Sequence, residues 1–396
     1  MVKVKHCRLR GKKYQIRICC GRDWQGKQIM KTMMWEPEPG MTDKQITKEL
    51  ERQVFLFEEK IRQGRVANSD QNPRFQEFGD QWFEEYAALN LRHTSYERMM
   101  SVSSRVYERF GNKRLDSITS RDIQRFINDL MLNGKNKVTG KPLARKSVIH
   151  HLNLLSDIFN YAVQMEVLTH NPCTNVKVPK GAKKEKQIYT LEEVERILAY
   201  LNQEPLIFRT FFTLELNTGL RRGEMLGLEW KDLDWDNGII SVRRTSNYTP
   251  SEGLYTDTTK TPKSQRSLKL PDLVMDLLRE LKAKQEHDRI EIGSKWVETD
   301  RVFTKWNGEA MFVSQPYGWF KRFCKRHDMR FCDIHSMRHF FASILINEGI
   351  DVATVSALLG HADTSTTLSI YCHAFMQAQA KAIEVVANAL NFKKEA

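Results

Sequence analysis

Two polar joints constrain this chain most, because neither can be buried and each separates stretches of different hydrophobic period. The first is Ala67-Asn-Ser-Asp-Gln-Asn-Pro73; the second runs from Asn171-Pro172 to Lys186, with Lys177, Lys180, Lys183, Lys184 and Lys186 against Glu185. Polar runs punctuated by Pro read as connectors. A basic connector is most simply solvated, and can equally pass close to a polyanion. The joints mark off residues 1–66, 74–171 and 187–396, a division suited to 396 residues at roughly 100–200 per domain.

In the first segment Tyr14, Ile16 and Ile18 alternate with Gln15 and Arg17, punctuated by Gly11, Gly21 and Gly26. That period-two pattern predicts a three-stranded antiparallel sheet. A helix is expected from Thr42, which has Gln45 at capping-box spacing, with Val54, Phe55 and Phe57 against the sheet. In the second segment Phe75, Phe78, Trp82 and Tyr86 recur every three to four residues, as do Ile149, Leu152, Leu155, Ile158 and Phe159. This predicts helices without strands, one of them capped by Ser120. The third segment opens on a Thr190/Glu193 capping box and holds helices around a strand-rich insert near 238–271. The fold class expected is multi-domain, mainly α with small antiparallel β.

Charge narrows the partners. Lys and Arg number 62 against 49 Asp and Glu, a net +13, and residues 1–35 carry ten of these cations against Asp23 alone. Such an excess points to a polyanion. No run approaches the roughly 18–20 apolar residues of a membrane span, and MVKVKHCRLR lacks a signal-peptide core, so a cytoplasmic protein is expected, with no membrane partner. Seven cysteines without a Cys-x2-Cys pair read as reduced thiols.

Two motifs are set aside. Gly21 to Lys27 has the spacing of a phosphate-binding loop, but Gln28 replaces the Ser or Thr that would hold magnesium, and strand-like alternation follows. His335 and His339 have the spacing of a helical zinc pair, which His361 and His373 would complete. Ser336 stands where a zinc protease has its Glu, and Arg338 between the histidines would repel a dication. No metal site is expected.

Five stretches in the last 180 residues carry chemistry. Asn217-Thr-Gly-Leu-Arg221-Arg222-Gly-Glu224 places Arg221 just after a helix cap at Gly219. Lys260-Thr-Pro-Lys263-Ser-Gln-Arg266 leads into a strand in which Leu268 and Leu270 alternate with polar residues. His335-Ser-Met-Arg338-His339 opens a helix with an expected buried stripe of Met337, Phe340, Phe341, Ile344 and Leu345, ended by Gly349; His335 and Arg338 share one face. Leu359-Gly360-His361 follows, and then Thr366-Thr-Leu-Ser-Ile-Tyr371-Cys-His373, a helical turn carrying a phenol. Paired guanidiniums stabilise charge building on a phosphodiester. An imidazole and a lysine move protons to and from the attacking and leaving oxygens, and a phenol of ordinary pKa near 10 needs such help as a nucleophile. With arginines supplying positive charge, no metal or other cofactor is needed.

TGLRRGE, HSMRHFFAS and LLGHADTSTTLSIYCHA, in this order and separation, resemble the signatures of the tyrosine recombinases, in particular integrases of phages and conjugative transposons. The resemblance is strong over about 190–380, moderate over 75–170 and weaker over 1–65. It implies an arm-type DNA-binding domain over 1–66, a helical, SAM-like core-binding domain over 74–171, and an α+β catalytic domain with a C-terminal docking helix over 187–396. Tyr371 would attack the scissile phosphate to form a 3′-phosphotyrosine. Arg221 and Arg338 would clamp the phosphate, His335 would assist proton transfer, and His361 would bond the phosphate or orient its neighbours. Lys260 is the best match to the family's acid, with Lys263 the alternative, and Glu224 would brace Arg221. The implied function is integration and excision of a mobile element through a Holliday junction without ATP. A chromosome-dimer-resolving or topoisomerase-like enzyme and a non-catalytic DNA-binding relative are the alternatives.

The implied partners are double-stranded DNA at core-type and arm-type sites, a homo-tetramer on that DNA, an excisionase and a host DNA-bending protein. Ala382, Ile383, Val385, Val386, Ala389 and Leu390 form an apolar surface that would dock on a neighbouring protomer or pack back on its own domain. Candidates for DNA contact outside the catalytic site are Tyr14, Arg17, Lys27 and Lys31 on the sheet, and Thr94, Tyr96, Arg121, Lys146 and His150 in the helical segment.

Overall fold

The computed structural model describes residues 4–22, 28–62, 73–180, 188–258 and 264–371, together with Phe375 and Ile383. The chain divides into two compact units, Met1–Lys183 and Lys184–Ala396. Among the described residues no helix is long and apolar enough to cross a membrane.

The first unit begins with strands β1 (Cys7–Arg10), β2 (Lys13–Arg22) and β3 (Gln28–Trp35), antiparallel in that order. Alternation puts Tyr14, Ile16 and Ile18 on one face, where α1 (Asp43–Arg62) buries them beneath Leu50 and Phe57. Thr42 starts that helix as its spacing predicts, its N–H donating to Gln45 Oε1 at 2.9 Å. Of the three residues expected against the sheet, Val54 and Phe57 pack there but Phe55 is 62% exposed. Leu50, Val54, Phe57 and Ile61 step by four, three and four, so the intervening Phe55 turns away.

Helices α2 (Phe75–Trp82, continuing through a wide turn at Phe83–Ala87 to Asn90), α3 (His93–Phe110), α4 (Ser120–Leu132) and α5 (Arg145–Gln164) enclose a second core around Phe75, Trp82, Phe110 and Phe159. The cap of α4 lies one residue before the expected Ser120. Thr119 Oγ1 accepts from Asp122 N at 3.2 Å while the Asp122 carboxylate accepts from Thr119 N at 3.2 Å, and Ser120 Oγ donates to the Pro172 carbonyl. That last bond belongs to a partial departure from expectation, because the second joint is anchored to the helices over its first ten residues, although Thr174, Asn175, Lys177, Pro179 and Lys180 stay exposed. Cys173 is buried, Gln124 bonds both the N–H and the carbonyl of Lys177, and Arg145 Nε donates to the Pro179 carbonyl at 2.8 Å. Residues 171–180 form a strap across α4 and α5, held through backbone groups that composition does not reveal.

The second unit packs α6 (Leu191–Leu201), α7 (Leu206–Thr218), α8 (Arg222–Gly227), α9 (Asp272–Ile292), α10 (Gln315–Arg326), α11 (His335–Asn347) and α12 (Val352–Leu359) around β4 (Leu233–Asp234), β5 (Ile239–Val242) and β8 (Arg266–Lys269). The hairpin β6 (Arg244–Thr249) and β7 (Gly253–Thr258) is inserted between β5 and β8. Thr190 and Glu193 form the expected capping box. Register sets Ile240 opposite Leu268, both buried beneath the aromatic core of Phe211, Phe212, Phe303 and Phe320. On α11 the buried positions are Ser336 to His339, Ala342 and Ile346, whereas Phe340, Phe341, Ile344 and Leu345 are half-buried. Of the expected stripe Met337 is fully buried, but the helix also turns its polar start inward, because Arg338 and His339 find partners there.

Candidate active site

Two left-handed helix ends shape the site. Gly219 (φ 59°) closes α7 and Gly360 (φ 64°) closes α12, a conformation glycine adopts without the Cβ penalty. Each also leaves no room for a side chain. A Cβ on Gly219 would sit 2.5 Å from the Phe341 ring, and one on Gly360 would sit 2.6 Å from Arg266 Nη1. The turn at Gly219 brings Arg221 to the cap of α8, where Arg221 Nη1 donates to Glu224 Oε1 at 2.6 Å and Nη2 to the Gly360 carbonyl at 3.2 Å. Glu224, expected to brace Arg221, also accepts from Arg266 Nη2 at 3.0 Å. Arg266 goes on to donate to the carbonyls of Leu358 (2.7 Å) and Ser264 (3.1 Å). Arg266 thus joins three segments of the site, a role the sequence does not reveal.

Arg338 is buried from the first turn of α11. It donates to the Gly219 carbonyl (2.6 Å), the Leu359 carbonyl (2.7 Å) and His361 Nε2 (3.0 Å). Burial first, then the neighbouring Arg221, pulls its pKa down to about 9, so it is still a cation at neutral pH. Burial alone would raise the Glu224 carboxyl, but Arg266 and Arg221 more than offset this and hold it below its ordinary value. Glu215, one turn before Gly219, is pushed well above its ordinary value by burial, with Arg222 and Arg338 acting the other way. Three guanidiniums therefore face the Glu224 carboxylate, leaving an excess of positive charge suited to an oxyanion.

His361 is held down to about 4, by burial first and then by Arg338, Arg221, Arg266 and His335. It is neutral at physiological pH. With Nε2 accepting from Arg338, its proton lies on Nδ1, which donates to Thr367 Oγ1 at 2.7 Å. Tyr371 lies among the described helical residues 364–371 and is 4% exposed. Burial raises its phenol to about 12, with Arg338 acting the other way. The nucleophile candidate and the arginine pocket thus meet within one chain. His335 is exposed, near enough to His361 to help lower its pKa, with its ring 4.8 Å from that of His339. The imidazole on the phenol is His339, whose Nδ1 lies 2.7 Å from Tyr371 Oη. A histidine four residues after another reads in sequence as a metal pair or as core, and only the fold reveals this contact. Among the described residues no group of three or more His, Cys, Asp or Glu could hold a metal ion.

Lys260 and Lys263 lie outside the described residues, as do Lys27 and the apolar terminal surface apart from Ile383, which is exposed. On the sheet, Tyr14 is not available to DNA, because it is buried and its ring lies 6.1 Å from that of Trp35. Lys31 pairs opposite Ile18 and so lies on the core-facing side, away from Arg17. The open face carries Arg17 with Arg8, Arg10 and Lys13, all exposed. In the helical domain Thr94, Arg121 and Lys146 are exposed, whereas Tyr96 packs edge-on to Phe83 at 5.7 Å. His150 Nε2 lies 3.2 Å from Arg98 Nη1, and burial, Arg98 and Lys146 together lower its pKa. Arg98, Lys146 and His150 form a basic cluster of which the sequence reading misses Arg98.

The model of the phage integrase family matches residues 187–378, and that of the phage integrase N-terminal SAM-like domain matches residues 74–131. The ICEBs1 integrase of Bacillus subtilis (strain 168) is 31% identical over 280 residues, covering 70% of this chain and 73% of that protein. The chain belongs to the phage integrase family. It is a tyrosine site-specific recombinase. A tyrosine recombinase XerC-like protein of Caldanaerobacter subterraneus subsp. tengcongensis is 29% identical to this integrase over 394 residues, 94% of this chain and 95% of the other. The Tn1549 transposon integrase, solved in complex with a circular intermediate DNA, shares the fold with a TM-score of 0.65 at 22% identity, covering 79% of this chain and 99% of that one.

Proposed function

We propose that this recombinase integrates and excises a mobile element, with Tyr371 as nucleophile, Arg221 and Arg338 as the phosphate clamp, and His361 orienting Arg338. The observation that carries the reading is the convergence on one pocket of Arg338, His361 and the Tyr371 hydroxyl, with Arg221 bonded to the same Gly360 loop. Attack by the phenol forms a 3′-phosphotyrosine and frees a 5′-hydroxyl, protonated by Lys260 or Lys263. His335, near enough to His361 to help lower its pKa, would assist proton transfer. The phosphotyrosine conserves the bond energy of the phosphodiester, so a partner strand's 5′-hydroxyl reverses the attack without ATP. Two rounds of exchange pass through a Holliday junction, which calls for four protomers on paired duplexes.

Residues 74–171 are assigned to core sites, through phosphate contacts from Thr94, Arg121 and the Arg98, Lys146 and His150 cluster. Residues 1–66 are assigned to arm sites, through the open face of the sheet. An excisionase and a host DNA-bending protein would set direction. The basic sheet supports an integrase over a chromosome-dimer-resolving enzyme, which has no need of a second DNA-binding domain. A nicked suicide duplex tests the reading. It should trap a covalent adduct that Tyr371→Phe abolishes and a chelator leaves intact. An adduct surviving in that variant would move the nucleophile elsewhere, and loss of cleavage in chelator would demand a metal. Deleting residues 1–66 should spare cleavage of core sites and impair complete recombination.

A further inference from the structure

We propose that His339 is the base that takes the proton from Tyr371 as the phenol attacks phosphorus, and returns it when the strand is rejoined. This rests on the assignment of Tyr371 as nucleophile. His339 Nδ1 lies 2.7 Å from Tyr371 Oη, the two rings are 5.5 Å apart at 64°, and the residues are 5% and 4% exposed. A phenol pushed up to about 12 by burial does not ionise beforehand at neutral pH. Its proton must leave during the attack, to a group already in contact, because bulk water is shut out. His361 is occupied, with one ring nitrogen on Arg338 and the other on Thr367. His335 is exposed, with its ring 4.8 Å from the His339 ring. The imidazole in hydrogen-bond contact with the nucleophile is therefore His339, one residue along the helix from the arginine that holds the phosphate.

In the forward step a bond forms between Tyr371 Oη and phosphorus while the bond from phosphorus to O5′ breaks. The phenol proton passes to His339 Nδ1, giving an imidazolium. The leaving electron pair goes to O5′, which takes a proton from Lys260 or Lys263. In the return step the incoming 5′-hydroxyl gives up its proton to that lysine, and the imidazolium protonates the departing phenolate. His339 is then acid and base by turns, as microscopic reversibility requires.

The test is single-turnover adduct formation on a nicked suicide duplex, with His339→Asn and His339→Phe compared with the unaltered enzyme. Asn keeps an oxygen that accepts from the phenol but cannot take its proton. Both variants should slow by about 10²–10⁴-fold, the usual size of a general-base contribution. The loss should persist on DNA with a 5′-bridging sulfur, whose departure needs an acid less but a base just as much. A fluorinated tyrosine of lower pKa at position 371 should restore about tenfold or more in His339→Asn and much less in the unaltered enzyme. A His339→Asn rate within a few fold of normal overturns the proposal. So does a loss that the fluorinated residue does not restore while core-site DNA binding is normal, since His339 would then only hold the ring. If His339→Asn fails to bind DNA, the fluorinated series in His339→Gln decides by the same criterion. Failure of the nucleophile assignment looks different, as an adduct that persists in Tyr371→Phe.

Discussion

Neutralising Glu224 should unsettle the catalytic unit more than any other change of a single atom. The Glu224 side chain is 4% exposed and lies 2.6 Å from Arg221 and 3.0 Å from Arg266, itself 7% exposed. Glu224→Gln keeps the shape and an acceptor for the Arg221 N–H, which now bonds Oε2 at 3.0 Å, so the variant isolates the charge. Breaking a buried ion pair from one side costs about 3–5 kcal/mol, because the remaining charge stays desolvated. For a unit of 150–250 residues each kcal/mol moves the melting temperature by about 2–4 °C, so a fall on the order of 10 °C is expected. Calorimetry of the full chain reads it directly. The double variant Glu224→Gln, Arg266→Met should be less destabilised than the sum of the single variants, by about 1–3 kcal/mol, because Met leaves no stranded guanidinium. A melting temperature within about 2 °C of the parent, or strict additivity in the double variant, would refute the argument that this carboxylate holds the cluster together.

Three further outcomes follow from other parts of the molecule. Thr119→Ala should cost about 1 kcal/mol in urea unfolding, and Ser120→Ala should cost less, because the cap is the earlier residue. His361 has a folded pKa of about 4 against 6.5 in the reference state, owing to burial and then Arg338, so the fold favours its neutral form. Stability should therefore fall as pH drops from about 6.5 to about 4 and level off below, by about 1–2 kcal/mol once partial exposure of the ring is allowed for; His361→Gln should remove this component from the pH dependence of melting. Replacing Arg8, Arg10 or Arg17 by Gln should weaken arm-site binding across sequences and lower the salt slope by about 0.9 for each phosphate left without its cation, with an unchanged slope ruling out that face.

Local chemistry is legible in the sequence and long-range pairing is not. Thr42/Gln45 and Thr190/Glu193 start helices where their spacing says, and Gly219 and Gly360 end them, because each signal is complete within four residues. Arg221, Arg338, His361 and Tyr371 stand out as chemistry-bearing groups beside such punctuation. Tyr14 shows the limit. The same alternation that predicts its strand also predicts its burial, yet its aromatic ring among cations suggests a DNA contact. The strap over 171–180 reads as a linker because its anchors are backbone carbonyls taken up by Gln124 and Arg145. Arg266 and His339 escape notice for a related reason, since their partners lie 42 and 32 positions away.

The manner in which Arg338 is held has a consequence for how the enzyme can vary. Two of its three anchors are main-chain oxygens at the ends of α7 and α12, where unsatisfied carbonyls carry the negative end of each helix. No substitution at Gly219 or Leu359 can delete an oxygen that every amino acid possesses. The aim of this guanidinium is therefore insulated from drift in its neighbours' side chains and sensitive to anything that alters the path of the chain. Variants that loosen this arginine should arise at the two helix ends, through changes of backbone angle rather than of chemical type.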